Sequence, residues 1–161
     1  MTQPRMWQRV MGLDIGERRI GIAYATTMSV GTSMVLPAGF LEVQLTWEAT
    51  IQDLCDMADE EGVDAVVVGV PYINGQENKQ TQKVLDHARQ LRLALPAKVE
   101  MYGWDESYSS TSAQSLLVGA ELKHSGKSKR GRVDAVAAAL ILQSFMDAHR
   151  NLGMAPGALL I

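Results

Sequence analysis

Two short apolar runs near the N-terminus are joined by a charged turn. The first run, Val10–Leu13, is followed at once by Asp14, and the second, Ile20–Ala25, begins after the charged residues 17–19. Two β-type runs this close together predict a hairpin. Asp14 therefore lies in or at the tip of a mostly buried strand, where an unpaired charge costs several kcal/mol. This position predicts a compensating partner, which is a metal ion, a phosphate site or a neighbouring base.

The remaining apolar spacing predicts a third strand followed by alternating helices and strands. A continuous β-branched run that Pro71 ends is typical of a strand covered on both faces. A meander followed by alternating elements implies an α/β protein with a mixed five-stranded sheet flanked by helices. The predicted elements after the hairpin are strands over 31–43, 65–70 and 99–104, helices over 46–61, 78–95 and 133–149, and a short helix over 111–118.

Length and composition indicate one globular domain in a reducing compartment. The 161 residues are 47% hydrophobic and 20% charged, which suits a single core of ordinary size. We expect one domain over 1–150 and a loose C-terminal tail over 151–161. Cys55 is the only cysteine, so a disulfide framework is excluded. No stretch is long enough to cross a bilayer and no signal peptide is evident, so we expect a soluble cytoplasmic protein.

Positive charge is concentrated in one segment of an otherwise acidic chain. The formal net charge of −3 argues against a nucleic-acid partner, but residues 121–132 carry about +4 and leave about −7 for the rest. A basic segment on an acidic body can hold a polyanion at one place, although most such runs are only solvated loops. The basic residues of this segment are Lys123, Lys127, Lys129, Arg130 and Arg132.

Three carboxylates are predicted to converge at one edge of the sheet. Asp14 ends the first strand, Glu106 follows the last, and Asp134 opens the final helix. Ligand sites of open α/β sheets gather at the carboxyl ends of the strands. Hard oxygen ligands suit Mg²⁺ or Mn²⁺, and two such ions about 3.5–4 Å apart can activate water and stabilise a leaving oxygen. The pattern predicts metal-dependent hydrolysis of phosphodiesters.

Each carboxylate also has a purely structural interpretation. Asp14 could pair with Arg18 or Arg19 in the adjoining turn. Asp105 and Glu106 could form a solvated strand end, and of the two we prefer Glu106 for the site. An acidic residue in the first turn of a helix, as predicted for Asp134, is also ordinary macrodipole chemistry.

Four segments stand out in order along the chain, namely Gly12–Ala23, Val67–Pro71 with Asn74–Gly75, Asp105–Glu106, and Lys129–Ala138. These segments resemble motifs of the YqgF/RuvX family of Holliday junction resolvases and pre-16S rRNA nucleases. The resemblance implies an RNase H-like fold and a divalent-metal nuclease, with Asp14, Glu106 and Asp134 as the catalytic and metal-binding positions. We expect the basic segment, together with Arg18 and Arg19, to contact nucleic acid.

Two alternative functions and one substrate question stay open. Ser107 stands where the family has an arginine, so a non-catalytic nucleic-acid-binding module of the same fold is one alternative. The other is a nucleotide-phosphate-binding domain of the actin, Hsp70 and sugar-kinase type, which needs a second such domain that this chain has no room for. Resolving a four-way DNA junction requires two symmetric cuts and favours a homodimer, whereas trimming an rRNA precursor needs one site.

Overall fold

The computed structural model describes residues 7–29, 32–106, 129–152 and 159–160. The predicted helix over 111–118 and residues Ser107, Lys123 and Lys127 lie outside the described residues. The elements, in chain order, are β1 (Arg9–Ile15), β2 (Arg19–Ser29), β3 (Thr32–Glu42), α1 (Trp47–Glu61), β4 (Ala65–Val70), α2 (Lys79–Ala94), β5 (Glu100–Asp105), α3 (Lys129–Leu152) and β6 (Leu159–Leu160).

The strands form one mixed sheet in the order β3-β2-β1-β4-β5-β6. The antiparallel β1–β2–β3 meander is confirmed, and β4 and β5 extend it with parallel pairing. The predicted five strands are therefore present, and the two-residue strand β6 adds a short antiparallel edge on β5. The boundary predicted at residue 150 stays a prediction, although α3 continues to Leu152.

Local signals at the ends of the helices account for their bounds. The Thr46 side chain accepts a hydrogen bond from the Ala49 backbone N–H and caps α1, and Gly62 ends the same helix with a left-handed φ of 62°. Asn78 caps α2 in a reciprocal arrangement with Thr81. Within the described part of the chain, no helix has the combination of length and apolar character that a membrane crossing requires.

The two faces of the sheet carry separate hydrophobic cores. Alternate β1 residues such as Met11 and Leu13 belong to the core that is completed by α1 and α2. Val10 belongs to the opposite core, which includes Leu142 and Phe145 of α3. Because successive strand residues point to opposite faces, Asp14 shares the α3 face with Val10. The face that bears Asp14 is therefore covered by one helix.

Candidate active site

Two small residues allow α3 to lie directly on the sheet beside Asp14. A methyl group at Gly21 would lie 1.9 Å from the backbone oxygen of Asp134, and one at Gly12 would lie 2.8 Å from Cβ of Leu142. Gly21 is the cross-strand partner of Asp14. The backbone of Asp134 in α3 therefore packs against Gly21, the residue of β2 that is paired with Asp14.

The structure begins the last helix four residues earlier than the sequence pattern predicts. α3 starts at Lys129 rather than near residue 133, so Asp134 lies in its second turn and does not open it. The macrodipole interpretation applies to the first turn and weakens beyond it. The backbone of Lys129, Arg130 and Arg132 belongs to the first turn of this helix.

Glu106 reaches Asp14 across the intervening strand β4. The Asp14 and Glu106 side chains hydrogen-bond to each other, although β4 separates β1 from β5. Gly69 of β4 leaves the path open, because a methyl group there would lie 3.1 Å from Oε1 of Glu106. The hydrogen bond joins Asp14 to Glu106, which supports the choice of Glu106 over Asp105. Side chains alternate between the two faces along a strand, and Tyr102 and Trp104 lie on the face that α3 covers. Glu106 follows in the same alternation and lies on that face, which is also the face of Asp14.

The Asp14–Glu106 pair holds a proton below neutral pH. The pKa of Glu106 is raised to about 7, first by burial, then by the charge of Asp14 and the hydrogen bond to it, and least by the charge of Asp105. Burial also raises the pKa of Asp14, while the hydrogen bond from Glu106 lowers it and the charge of Asp134 raises it. Glu106 is thus the protonated donor and Asp14 the acceptor. Removing that proton leaves two adjacent, partly buried charges that need a cation between them.

Arg19 is bound to the third carboxylate. Its Nε donates to Oδ2 of Asp134 at 2.7 Å, and the two side chains are 29% and 25% exposed. The sequence leaves a pairing of Asp14 with Arg18 or Arg19 open, but Arg19 pairs with a residue 115 positions away. Arg18, in the turn before β2, is exposed.

The donor set has the chemistry of a site for a hard divalent cation. Carboxylate oxygens are the ligands that Mg²⁺ and Mn²⁺ prefer, with water completing the shell. Within the described residues, no three or more acidic, histidine or cysteine side chains are arranged to hold one ion. Asp14 and Glu106 are therefore the pair that can share a cation. Asp134 lies beside them and is bound to Arg19.

Sequence reasoning finds the three carboxylates but misses the residues that bring them together. Gly21 and Gly69 remove side chains where α3 and Glu106 must pass. A glycine inside a strand is itself a signal of close approach, so these two positions could have been singled out. The Arg19–Asp134 contact has no signal in the spacing, because its partners are distant in the chain.

Comparisons with known proteins find relatives over most of the chain. A family model described as RuvX: Holliday junction resolvase matches residues 8–148. The protein named "Putative pre-16S rRNA nuclease" of Chlamydia abortus is 38% identical over 149 residues, which cover 91% of this chain and 95% of that protein. The protein of the same name from Chlamydia felis is 34% identical and covers 94% of this chain and 99% of its own length.

The solved structures that resemble the chain share its fold. The Thermus thermophilus RuvC structure has a TM-score of 0.60 at 14% identity and covers 95% of this chain and 99% of that one. RuvC of the same organism in complex with a Holliday junction substrate has a TM-score of 0.55 at 16% identity, with 96% and 99% covered. The predicted RNase H-like fold is thereby confirmed. The match of the family model over residues 8–148, together with the sequence identity to the chlamydial proteins, shows that this chain belongs to the RuvX family.

Proposed function

We propose that this chain is a divalent-metal-dependent endonuclease that hydrolyses phosphodiester bonds of nucleic acid. The observation that carries the proposal is the hydrogen-bonded pair of Asp14 and Glu106, partly buried on the face that α3 covers, with Asp134 beside it. A structural role does not explain why a fold would place two carboxyl groups in contact inside its sheet. Such pairs are costly and are concentrated at functional sites.

Asp14, Glu106 and Asp134 are the residues that would hold Mg²⁺ or Mn²⁺, in a two-ion site. When bound, the cations would activate a water molecule and stabilise the leaving oxygen of the phosphodiester. Glu106 would be ionised with a cation bound, and Asp14 would supply the second charged oxygen ligand. α3 packs on this face of the sheet, and the lower local dielectric constant strengthens the electrostatic interactions of the partly buried carboxyl groups.

Basic residues near this edge would bind the phosphates on either side of the cleaved bond. Arg18 is exposed in the turn that follows Asp14, and the first turn of α3 carries Lys129, Arg130 and Arg132. Lys123 and Lys127 precede that turn in the sequence. Phosphate contacts of this kind position a strand without reading its sequence.

We place a precursor of 16S rRNA first among the substrates and a four-way DNA junction second. The relatives at 31–38% identity over most of this chain carry the name of a pre-16S rRNA nuclease. The family description and the RuvC-like fold favour the junction. A junction would require a two-fold dimer with two sites, whereas one site is enough to trim RNA. The single cysteine suits the reducing cytoplasm, where either substrate would be found.

The test compares two synthetic substrates with the same protein. A single-stranded precursor-rRNA oligonucleotide and a four-way DNA junction are incubated with Mg²⁺, with Mn²⁺ and with EDTA. The proposal expects cleavage only with metal, and preference for the RNA would assign rRNA maturation. Symmetric paired nicks in the junction by a dimer would assign resolution instead. Metal-independent binding without cleavage of either probe would contradict the nuclease and leave a nucleic-acid-binding module.

A further inference from the structure

We propose that Arg19 is a positioning residue for Asp134 and not a phosphate-binding residue. This inference rests on the proposed nuclease function and assigns a separate task within its site. The sequence groups Arg19 with the basic residues that contact nucleic acid. In the structure, the guanidinium of Arg19 instead donates a hydrogen bond to the carboxylate of Asp134.

Two contacts from the same strand fix Asp134. The Nε of Arg19 donates to Oδ2 of Asp134 at 2.7 Å. Two residues further along β2, Gly21 lets the backbone of Asp134 lie against the sheet. Residues two apart in a strand share a face, so β2 holds both the side chain and the main chain of Asp134.

This arrangement leaves the carboxylate partly available to a cation. Arg19 bonds to Oδ2 through one donor, so Oδ1 is not engaged in the described contacts of the pair. Both side chains are about three-quarters buried, which makes the pair stronger and less salt-sensitive than an exposed ion pair. A carboxylate held by one oxygen keeps its orientation and still offers the other oxygen to a ligand.

Without Arg19, Asp134 would be pushed away from the site. The negative charge of Asp134 already acts on Asp14. Removing the guanidinium leaves like charges close together on a face that α3 covers, and the flexible Asp134 side chain can relieve this repulsion by turning toward solvent. The expected consequence is a slower chemical step with little change in substrate binding.

Arg18 provides a matched control on the neighbouring position. It has the same side chain, lies in the turn just before β2, and is exposed. No side-chain bond of Arg18 to another described residue occurs. If both arginines served phosphates, their substitution would have similar effects on binding.

The experiment measures binding and catalysis separately for Arg19→Gln, Arg19→Lys and Arg18→Gln. Binding of a fluorescein-labelled precursor-rRNA oligonucleotide in EDTA is followed against salt concentration. We expect Arg18→Gln to reduce the log–log salt slope by about 0.7, the value for one lost phosphate contact on a single strand, and Arg19→Gln to leave it unchanged. With Mg²⁺, Arg19→Gln should lower kcat at least about 10-fold with KM within twofold, and Arg19→Lys should restore part of kcat.

A double-mutant cycle on thermal unfolding in EDTA supplies the readout that does not depend on activity. Arg19→Gln should lower Tm in the wild-type background and change it less in Asp134→Asn, because its partner is already altered there. A salt slope reduced equally by both arginine variants, or equal Tm changes in both backgrounds, would overturn the positioning role. If the wild type cleaves neither probe, the proposed function fails, while the salt slopes and the cycle still decide the role of Arg19.

Discussion

The side chain of Glu106 passes over Gly69 of β4 to share a hydrogen bond with Asp14 of β1. The two carboxyl groups come from strands that are not neighbours in the sheet, and they meet only because the strand between them lacks a Cβ at that level. Gly69 therefore determines whether the carboxyl groups of Asp14 and Glu106 can contact each other. Several consequences of this contact can be measured.

Replacing Gly69 by alanine should separate Asp14 from Glu106. The added methyl group would lie 3.1 Å from Cγ and Oε1 of Glu106 and 2.4 Å from Cδ1 of Ile141, so both side chains must shift. We expect Tm to fall and cleavage to drop by at least about 10-fold, comparable to losing a group that orients a ligand. Activity is measured at a temperature where circular dichroism shows the variant to be folded.

Gly12→Ala is the matched control for this substitution. It introduces a similar close contact under α3, 2.8 Å from Cβ of Leu142, but away from Glu106. Both variants should be destabilised by overpacking. Only Gly69→Ala should change how Tm depends on pH, because that dependence comes from the Asp14–Glu106 pair. Identical pH dependence in the two variants would mean that Gly69 serves helix packing alone.

The metal-free protein should lose stability as pH rises through neutrality. The folded-state pKa of Glu106 is about 7, raised from 4.5 chiefly by burial, so the folded state binds a proton that the unfolded state releases. The stabilising contribution is complete below pH 4.5 and is lost as pH rises through about 7. Tm measured in EDTA between pH 5 and 8 should therefore decline, and Mg²⁺ should reduce the decline by favouring the ionised pair.

Glu106→Gln should remove that pH dependence, because the amide cannot ionise. Glu60→Gln, which alters an exposed carboxylate on α1, should retain the wild-type behaviour.

A proton and a cation compete for the same carboxyl oxygens of the Asp14–Glu106 pair. We therefore expect Mn²⁺ to bind more tightly to the wild type at pH 8 than at pH 6, as measured by calorimetry. Equal Mn²⁺ affinity at the two pH values would be incompatible with a proton held at the site of the cation.

Asp14→Asn should abolish metal-dependent cleavage while folding and nucleic-acid binding persist. The loss should exceed the roughly 10–100-fold effect of removing an outer-shell partner, because Asp14 is expected to hold the cation itself. In EDTA at pH 8 the variant should unfold at a slightly higher temperature than the wild type, since a buried charge has been removed. Asp59→Asn, an exposed change on α1, is the control, and full activity of Asp14→Asn would exclude the proposed site.

Neutralising Lys127, Lys129 and Arg130 together should weaken nucleic-acid binding. If all three contact phosphates, the salt slope should decrease by about 2 on single-stranded RNA. Binding is measured by fluorescence anisotropy at several salt concentrations, with Lys98→Gln as a control far from this segment in the sequence. An unchanged slope would show that the basic segment is only solvated surface.

Much of the fold could be predicted from the sequence because its signals are local. Hydrophobic alternation and turn residues specify the meander, and the Thr46 and Asn78 caps mark where α1 and α2 begin. The start of α3 was missed, since its first turn contains Lys, Arg and Gly residues without apolar spacing. The short strand β6 was also not predicted, because two residues carry no periodic signal.

Sequence patterns alone single out the carboxylates of the proposed site. Asp14 and Glu106 follow apolar strands directly, and the carboxyl ends of parallel strands share one edge of a sheet. What each carboxylate contacts was decided only by the tertiary structure. Glu106 rather than Asp105 meets Asp14, and Arg19 binds Asp134 rather than Asp14, because these contacts depend on the packing of α3 and on two glycines that open the space. Spacing along the chain cannot specify contacts between residues about 90 or more positions apart, since their geometry exists only after the sheet and helix have packed.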